Sequence, residues 1–530
     1  MVCRGEFGLR SVDFRPGSGA WSASGSLHVR SGLPGPGPVT SLAGVADWLG
    51  HFAAVEIGAR QVRLATDRTR SFPLFYALTP TAVRITDDPD EATAWAAAID
   101  PAARVELLSA GFVTGPRTLF TNVGQVEAGS TLTIDLANGQ TTTDAWGLAR
   151  HEPPATEIAD EAAFDAALES TIRAALERLL AAAAGRHLVL PLSGGLDSRL
   201  LVAHLKILGA RDVTCFTYGR PGAAEQGLSR AVAEAAGYDW QLVPYTPAVV
   251  RRVWDRPATG QWMRAAWSCS ALPHTQDYIA LVELLREARI PADAVVLPGH
   301  TVVGNMHDEA LLAAAPVPAE VVTQRILAHH FNLAPDVPTA PPTASAAVAA
   351  LLQLLDYDGS PRAVRDAIES FNSRERQGKY INNSARTYEF LGLDWAYPML
   401  EADVYRLWTA GAAELTATRA FYARHVERLY ATVTGQAPRL HEERTVAVSG
   451  GVRARAERAL RATGLLPAAS HLVRLWGHTH HPLGFNLLLR EPRWEQARRT
   501  LRLDPVLGRW ARAFLKDAWG PRHHLFDSLS

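Results

Sequence analysis

The chain has 530 residues, 47% of them hydrophobic, and its 53 basic and 54 acidic side chains leave a formal charge of −1. That length exceeds a single core and sets an expectation of two to four domains, while the near balance of charge argues against wholesale binding to nucleic acid or an anionic membrane. Only Cys3, Cys215 and Cys269 are present, and no run approaches the ~18 apolar residues of a membrane span, so a soluble, cytoplasmic protein without disulfides is expected.

The first part of the chain reads as strands and turns. "HFAAVEIGARQVRLATD" (51–67) is two β-rich runs around a Gly turn, followed by "FPLFYAL" and "TAVRITDD". "TLTIDLANGQTTTDAW" (131–146) places Asn138-Gly139 between alternating runs, a hairpin signal. The pattern then changes: "EAAFDAALESTIRAALERLLAAAA" repeats apolar residues at helical spacing, which sets a boundary at about residue 152 and two domains, 1–152 and 153–530. From 187 strand and helix alternate as "HLVLPL", "RLLVAHLKIL", "DVTCFTYG", "EQGLSRAVAEAAG" and "WQLVPY", which predicts a parallel sheet covered by helices. The fold class expected is therefore α/β, a β-rich domain followed by a parallel α/β domain with a helical C-terminal part. "NLAPDVPTAPPTASAA" (332–347) is Pro/Ala-rich and reads as a loop or connector; the chain beyond about 405 reads as helical and beyond about 439 as Arg-rich.

The most informative stretch is "LVLPLSGGLDSRLLVAHL" (188–205), a buried strand that breaks into a Gly-rich knot before a helix. In an open parallel sheet ligands bind beyond the carboxyl ends of the strands. Leu192, Ser193, Gly194, Gly195 and Ser198 sit at such an end, where backbone N–H groups and a helix N-terminus converge on an anion. Asp197 does not suit a phosphate directly; its role is to hold a Mg²⁺ ion that bridges phosphate oxygens. The other reading is a Gly turn with an Asp/Ser helix cap.

The motif resembles the PP-loop of enzymes that attack ATP at the α-phosphorus and release pyrophosphate. Downstream of a β-rich domain, it makes residues 50–410 similar to the asparagine synthetase family. "ATDRTRSFPLFYAL" and "LLSAGFVTGPRTLFTNVGQVEAGSTLTID" resemble parts of that family's first domain, a glutamine amidotransferase (Ntn-hydrolase-like) sandwich. "CFTYG" fits the strand whose end cradles adenine, implying Tyr218, and "LPGHTVVGN" (297–305) fits a second pyrophosphate loop, implying Pro298 and Gly299. "NNSARTYEFLGLDWAYPMLEADVYRLW" resembles the segment that carries a glutamate. The resemblance implies ATP and Mg²⁺ as cofactors, with a carboxylate activated as its acyl-adenylate and then captured by an amine. By motif position Glu389 is the candidate base for that amine; an ion pair with Arg386 on the same helix turn is the other reading. His300 is a second catalytic candidate, for proton transfer or phosphate contact, with a solvated loop histidine as the alternative.

The family pattern breaks in two places. Its glutaminase needs an N-terminal cysteine and an Asn-Gly pair, but here Val2 precedes Cys3 and no asparagine occurs before Asn122. A first domain without glutaminase activity follows. In "PGHTVVGNMHDE" Val302 and Val303 stand where an Asp helps hold the metal, leaving Asp308, Glu309 or water to assist Asp197. The nitrogen then comes from the substrate itself, as in lasso-peptide macrolactam cyclases and β-lactam synthetases. The expected partner is a carboxylate-bearing peptide or natural-product intermediate, with a leader peptidase or carrier beside it. Amidation of aspartate or of a sugar uronic acid with ammonia is the alternative function, and an inactive or binding-only descendant the second. His478, His480 and His481 lack the partners of a zinc motif, Trp240, Trp254, Trp262 and Trp267 read as core and lid packing, and "RARAERALRATG" as a solvated helix face.

Overall fold

The computed structural model describes residues 2–3, 9–304, 309–334, 340–436, 488–489 and 493–516. His478, His480, His481, Asp308 and "RARAERALRATG" lie outside the described residues.

Two sheets form the first part. One joins β1 (Val2–Cys3), β2 (Ser11–Arg15), β7 (Phe75–Leu78), β8 (Ala82–Thr86) and β9 (Gly124–Gln125) in the order β1-β2-β8-β7-β9. The other joins β3 (Trp21–Ser24), β4 (Leu27–Ser31), β5 (Phe52–Ile57), β6 (Gln61–Thr66), β10 (Ser130–Asp135) and β11 (Thr141–Ala145) in the order β11-β10-β6-β5-β4-β3. Alternation decides which side chains face inward. Val12 and Phe14 of one sheet and Val55, Val62 and Leu64 of the other enter a single buried cluster, so the sheets pack as a sandwich. The Asn138-Gly139 turn closes β10 and β11 as expected, with Gly139 at φ 76°, where a side chain would be strained.

A 23-residue helix, α1 (Glu161–Ala183), follows, its N-terminus capped by the Asp160 carboxylate, which accepts from the Ala163 amide at 2.6 Å. Then come β12 (Leu188–Pro191), α2 (Leu196–Ile207), β13 (Val213–Gly219), β14 (Asp239–Pro244) and β15 (Val295–Val296). Next are α3 (Pro361–Phe371), a π-helical segment (Asn372–Ile381), α4 (Ala385–Phe390), β16 (Asp394–Trp395) and α5 (Ala420–Thr434). The five strands pair in parallel in the order β14-β13-β12-β15-β16. Each strand feeds two cores by turns: Leu188 and Leu190 face the core under α1 and α2, and Val189 the core on the opposite side. Cys215 and Phe216 divide the same way, as do Val295 and Val296. No helix among the described residues is long and apolar enough to cross a membrane.

One expectation needs correction. The run 332–347 is not all connector, because Pro342 begins a helix, Pro342–Leu354, at the position where a missing N–H costs nothing. The sandwich and the parallel sheet also share a core. The cluster that holds Val12 and Leu64 also holds Val189, Phe216, Trp254, Trp262 and Trp267. The backbone joins them as well: Val113 N–H donates to the Ser270 carbonyl at 2.7 Å, Leu119 to Cys269 at 2.8 Å and Leu272 to Gly111 at 3.0 Å. Trp254, Trp262 and Trp267 are fully buried there, whereas Trp240 is half-buried.

Candidate active site

The strand order locates the site. From β12 the chain moves outward through β13 to β14, then returns to the other side of β12 for β15 and β16. The loops after β12 and β15 therefore leave the sheet side by side at the point where the order reverses, the crevice in which open α/β sheets bind ligands. The first is Leu192–Gly195 and the second begins at Pro298 and Gly299. A Cβ on Gly299 would stand 2.9 Å from the Ser198 amide nitrogen, a backbone clash, so only glycine lets the two loops approach this closely.

The first loop is ordered by its own serines. The Ser193 amide donates to Ser198 Oγ at 3.3 Å, the Gly195 amide donates to Ser193 Oγ at 3.1 Å, and the two hydroxyls lie 3.2 Å apart. Leu192 is anchored by its amide to the Phe216 carbonyl at 2.8 Å, and its own carbonyl accepts from the Thr217 hydroxyl at 2.7 Å. Gly195 caps α2 without any side-chain hydrogen bond, which leaves the first-turn amides free for an anion. The Asp/Ser cap reading is thereby set aside: neither side chain caps this helix.

Asp197, Gly299, His300, Thr301, Val302 and Arg419 line a cavity of about 200 Å³. Burial pushes the Asp197 carboxyl above its usual range, with Arg419 and Tyr422 pulling the other way. Arg419 Nη2 donates to Asp197 Oδ1 at 2.5 Å. Among the described residues no group of three or more His, Cys, Asp or Glu could hold a metal. The chemistry of this donor set still fits Mg²⁺, which commonly takes one or two carboxylates and completes its shell with phosphate oxygens and water. Val302 and Val303 supply no ligand: Val303 is buried in the core beneath α2, and Val302 packs against its edge.

His300 is half-buried on the same wall, its ring 4.9 Å from that of Tyr397, the residue just beyond β16. Burial, with His274 adding to it, pushes the imidazole down to about 3, so it is neutral at ordinary pH. Its Nδ1 has no hydrogen-bond partner among the described residues. Pro298 is buried and accepts the His300 amide at 2.8 Å. Tyr218 is the last residue but one of β13, stacked on Tyr245 with ring centroids 5.3 Å apart. Burial, and Asp277 after it, raise the Tyr218 phenol well above its usual range.

Glu389 is not brought to this cavity. It lines a separate one of about 640 Å³ between the sandwich and the second part, together with Arg30, Phe72, Asp87, Arg386 and Trp395. Its carboxylate is paired with Arg386 at 2.8 Å and with Arg30 at 3.1 Å, and Arg30 is paired with Asp87 in turn. Glu389 lies in α4, ahead of β16, and its carboxylate also accepts from the Trp395 indole N–H at 3.3 Å. Of the two readings of Glu389, the ion pair with Arg386 is the one present.

Sequence reasoning missed the far wall. The π-helical segment, whose i→i+5 bonding stacks residues about four to five apart, contributes Asn372, Arg376, Gln377 and Ile381 to one face of the smaller cavity. Glu369 stands one turn before it, and its carboxylate holds His151 at 3.3 Å while Asp366 holds the same ring at 2.7 Å. Arg419 was missed too, since 222 residues separate it from Asp197 and no local spacing connects them.

Comparison with known proteins agrees with the geometry of the β12 loop. A family model described as asparagine synthase matches residues 167–298. Over 154 residues, 28% of this chain, the sequence is 36% identical to carboxyethyl-arginine β-lactam synthase of Streptomyces clavuligerus; the match spans only 26% of that protein. Among solved structures, glutamine phosphoribosylpyrophosphate amidotransferase from B. subtilis, complexed with ADP and GMP, aligns at 11% identity over 50% of this chain and 51% of that one, with a TM-score of 0.14 that carries no argument about the fold.

Proposed function

We propose that the chain, whose residues 167–298 match the asparagine synthase family model, is a ligase that forms an amide bond at the expense of ATP. The observation that carries this reading is the pair of glycine loops at the switch point, with Asp197 beside an uncapped helix N-terminus. An acyl carboxylate oxygen attacks the α-phosphorus and pyrophosphate departs; the amine nitrogen then attacks the acyl carbon, AMP departs and a proton is lost. The amides of the first turn of α2 and the loop of Ser193, Gly194 and Gly195 are aimed at the charge that builds on the departing pyrophosphate. Asp197 would hold Mg²⁺, which when bound would neutralise phosphate charge. Neutral His300 suits the role of hydrogen-bond partner to the reacting groups, with Nδ1 unengaged. Tyr218, Pro298 and Gly299 are assigned to the nucleotide.

The residues up to about 152 serve as scaffold in this reading, because Val2 precedes Cys3 and no asparagine stands ahead of Asn122 to supply the oxyanion donor. The amine therefore belongs to the substrate, and the product is a macrolactam of the lasso-peptide type or another natural-product amide. A peptide or natural-product carboxylate is the partner, and the cytoplasm, where ATP is supplied, the place. Purified protein given ATP, Mg²⁺ and the peptide encoded beside it should release AMP and pyrophosphate. It should release no glutamate from glutamine. Formation of ADP and phosphate would overturn the adenylation step, and glutamate release abolished by Cys3→Ala would overturn the scaffold reading.

A further inference from the structure

Arg419 is paired with the carboxylate that would hold a metal ion. It is the N-cap of α5, the helix packed on α2, and its guanidinium lies over the Tyr422 ring at 5.3 Å. It pairs with Asp197 at 2.5 Å, with side-chain exposures of 29% and 27%. A guanidinium has five N–H donors, and here the pairing leaves Nε buried without an acceptor among the described residues. The guanidinium thus holds the oxygen a divalent cation needs while lining the cavity that a polyphosphate would enter. A carboxylate that accepts a divalent cation cannot keep a monovalent one on the same oxygen, because the two cations repel at that range.

We propose that Arg419 is a phosphate-binding residue that exchanges partners. In the empty cavity it neutralises Asp197; when Asp197 turns to a divalent cation arriving with a polyphosphate, the guanidinium turns to the pyrophosphate oxygens. The anchoring of Arg419 at the head of α5 keeps it beside the loop in both arrangements, so the exchange needs only side-chain rotation. The same donors that idle against Asp197 are those that match phosphate as a fork. This inference rests on the nucleotide reading above.

The exchange predicts two changes of opposite sign. Mn²⁺ binding, followed by its paramagnetic resonance signal, should become roughly 10-fold tighter in Arg419→Gln, because the competitor for Asp197 is gone. Pyrophosphate binding at saturating Mn²⁺, measured by calorimetry, should become roughly 10-fold weaker in the same variant, because a charge-assisted contact is lost. A gain in metal affinity cannot come from misfolding, which protects the test from that ambiguity. Arg419→Lys should recover most of the pyrophosphate affinity. Unchanged or weaker Mn²⁺ binding in Arg419→Gln overturns the proposal, and so does tighter Mn²⁺ binding with unchanged pyrophosphate affinity. If the wild-type protein binds neither probe, the nucleotide reading itself falls and this inference falls with it.

Discussion

The two cavities differ in the material of their walls. The larger, about 640 Å³, is walled by side-chain charges that have found each other, in a chain from Asp87 through Arg30 and Glu389 to Arg386. Both guanidinium groups also rest over Phe72, at 4.5 and 5.4 Å. The smaller, about 200 Å³, is lined by residues 299–304 of the second loop and by Asp197, which pairs with Arg419. Size alone would choose the larger cavity. What a triphosphate needs is unspent backbone donors and a carboxylate that can change partner; the uncapped first turn of α2 offers the first, and its Asp197, which lines the smaller cavity, the second.

The sharpest way to break this contrast is Asp197→Ala. Loss of the metal-holding carboxylate should lower pyrophosphate release by roughly three decades or more, several kcal/mol of transition-state stabilisation. Near-normal turnover in that variant would put the phosphate machinery elsewhere.

A smaller effect is expected from pH, because the far wall of the same cavity rests on a protonated histidine. Burial alone would lower His151, but Glu369 and Asp366 outweigh it and raise the imidazole to about 9, with Arg365 opposing them. A group raised on folding stabilises fully below its unfolded value of about 6.5, and that contribution fades as pH climbs through about 9. Denaturant titrations should therefore show up to about 3 kcal/mol of stability lost between those limits. His151→Gln should flatten the slope, and a wild-type profile with no such slope would remove the charged histidine from the account.

The smallest change is expected at Glu389. If the larger cavity is structural, Glu389→Gln should cost about 1–3 kcal/mol of stability, since Arg386 and Arg30 each lose a charged acceptor that is partly exposed. Binding of Mg²⁺ and the non-hydrolysable α,β-methylene analogue of ATP should stay within about twofold, the noise of calorimetry on the scale where 1.4 kcal/mol is tenfold. A selective loss of amide product with stability intact would instead restore Glu389 to the chemistry.

The parts of this molecule that were legible in the sequence are those carried by neighbours in the chain. Ser193 to Ser198 specify their own loop, because the serines that shape it are within five residues of each other. The Asn138-Gly139 turn and the strands around it are equally local. What spacing cannot convey is which end of a strand a residue occupies once the strand is only two residues long. β16 spans only Asp394–Trp395; Glu389, five residues ahead of it, lines the larger cavity, whereas the ring of Tyr397, two residues beyond it, packs on His300, which lines the smaller. Arg419 and Glu369 reach the cavity on helices packed from outside the strand–loop–helix repeat, and no periodicity marks them. The common core of the two parts is hidden for the same reason: Trp262 and Trp267 read as buried, but nothing local says against what.

The hydrogen bonds that tie residues 111–119 to residues 269–272 set an order of events on the ribosome. The sandwich emerges first, with one flank still lacking its partner. From Ala145, where its last strand ends, to residue 272 about 127 further residues must be translated, roughly 6–25 s at 5–20 residues per second. During that interval Phe112 and Val113, fully packed in the finished molecule, have nothing from the later segment to lie against. The nascent sandwich is thus a half-built wall waiting for its other half, and the place where a stalled chain would meet a chaperone.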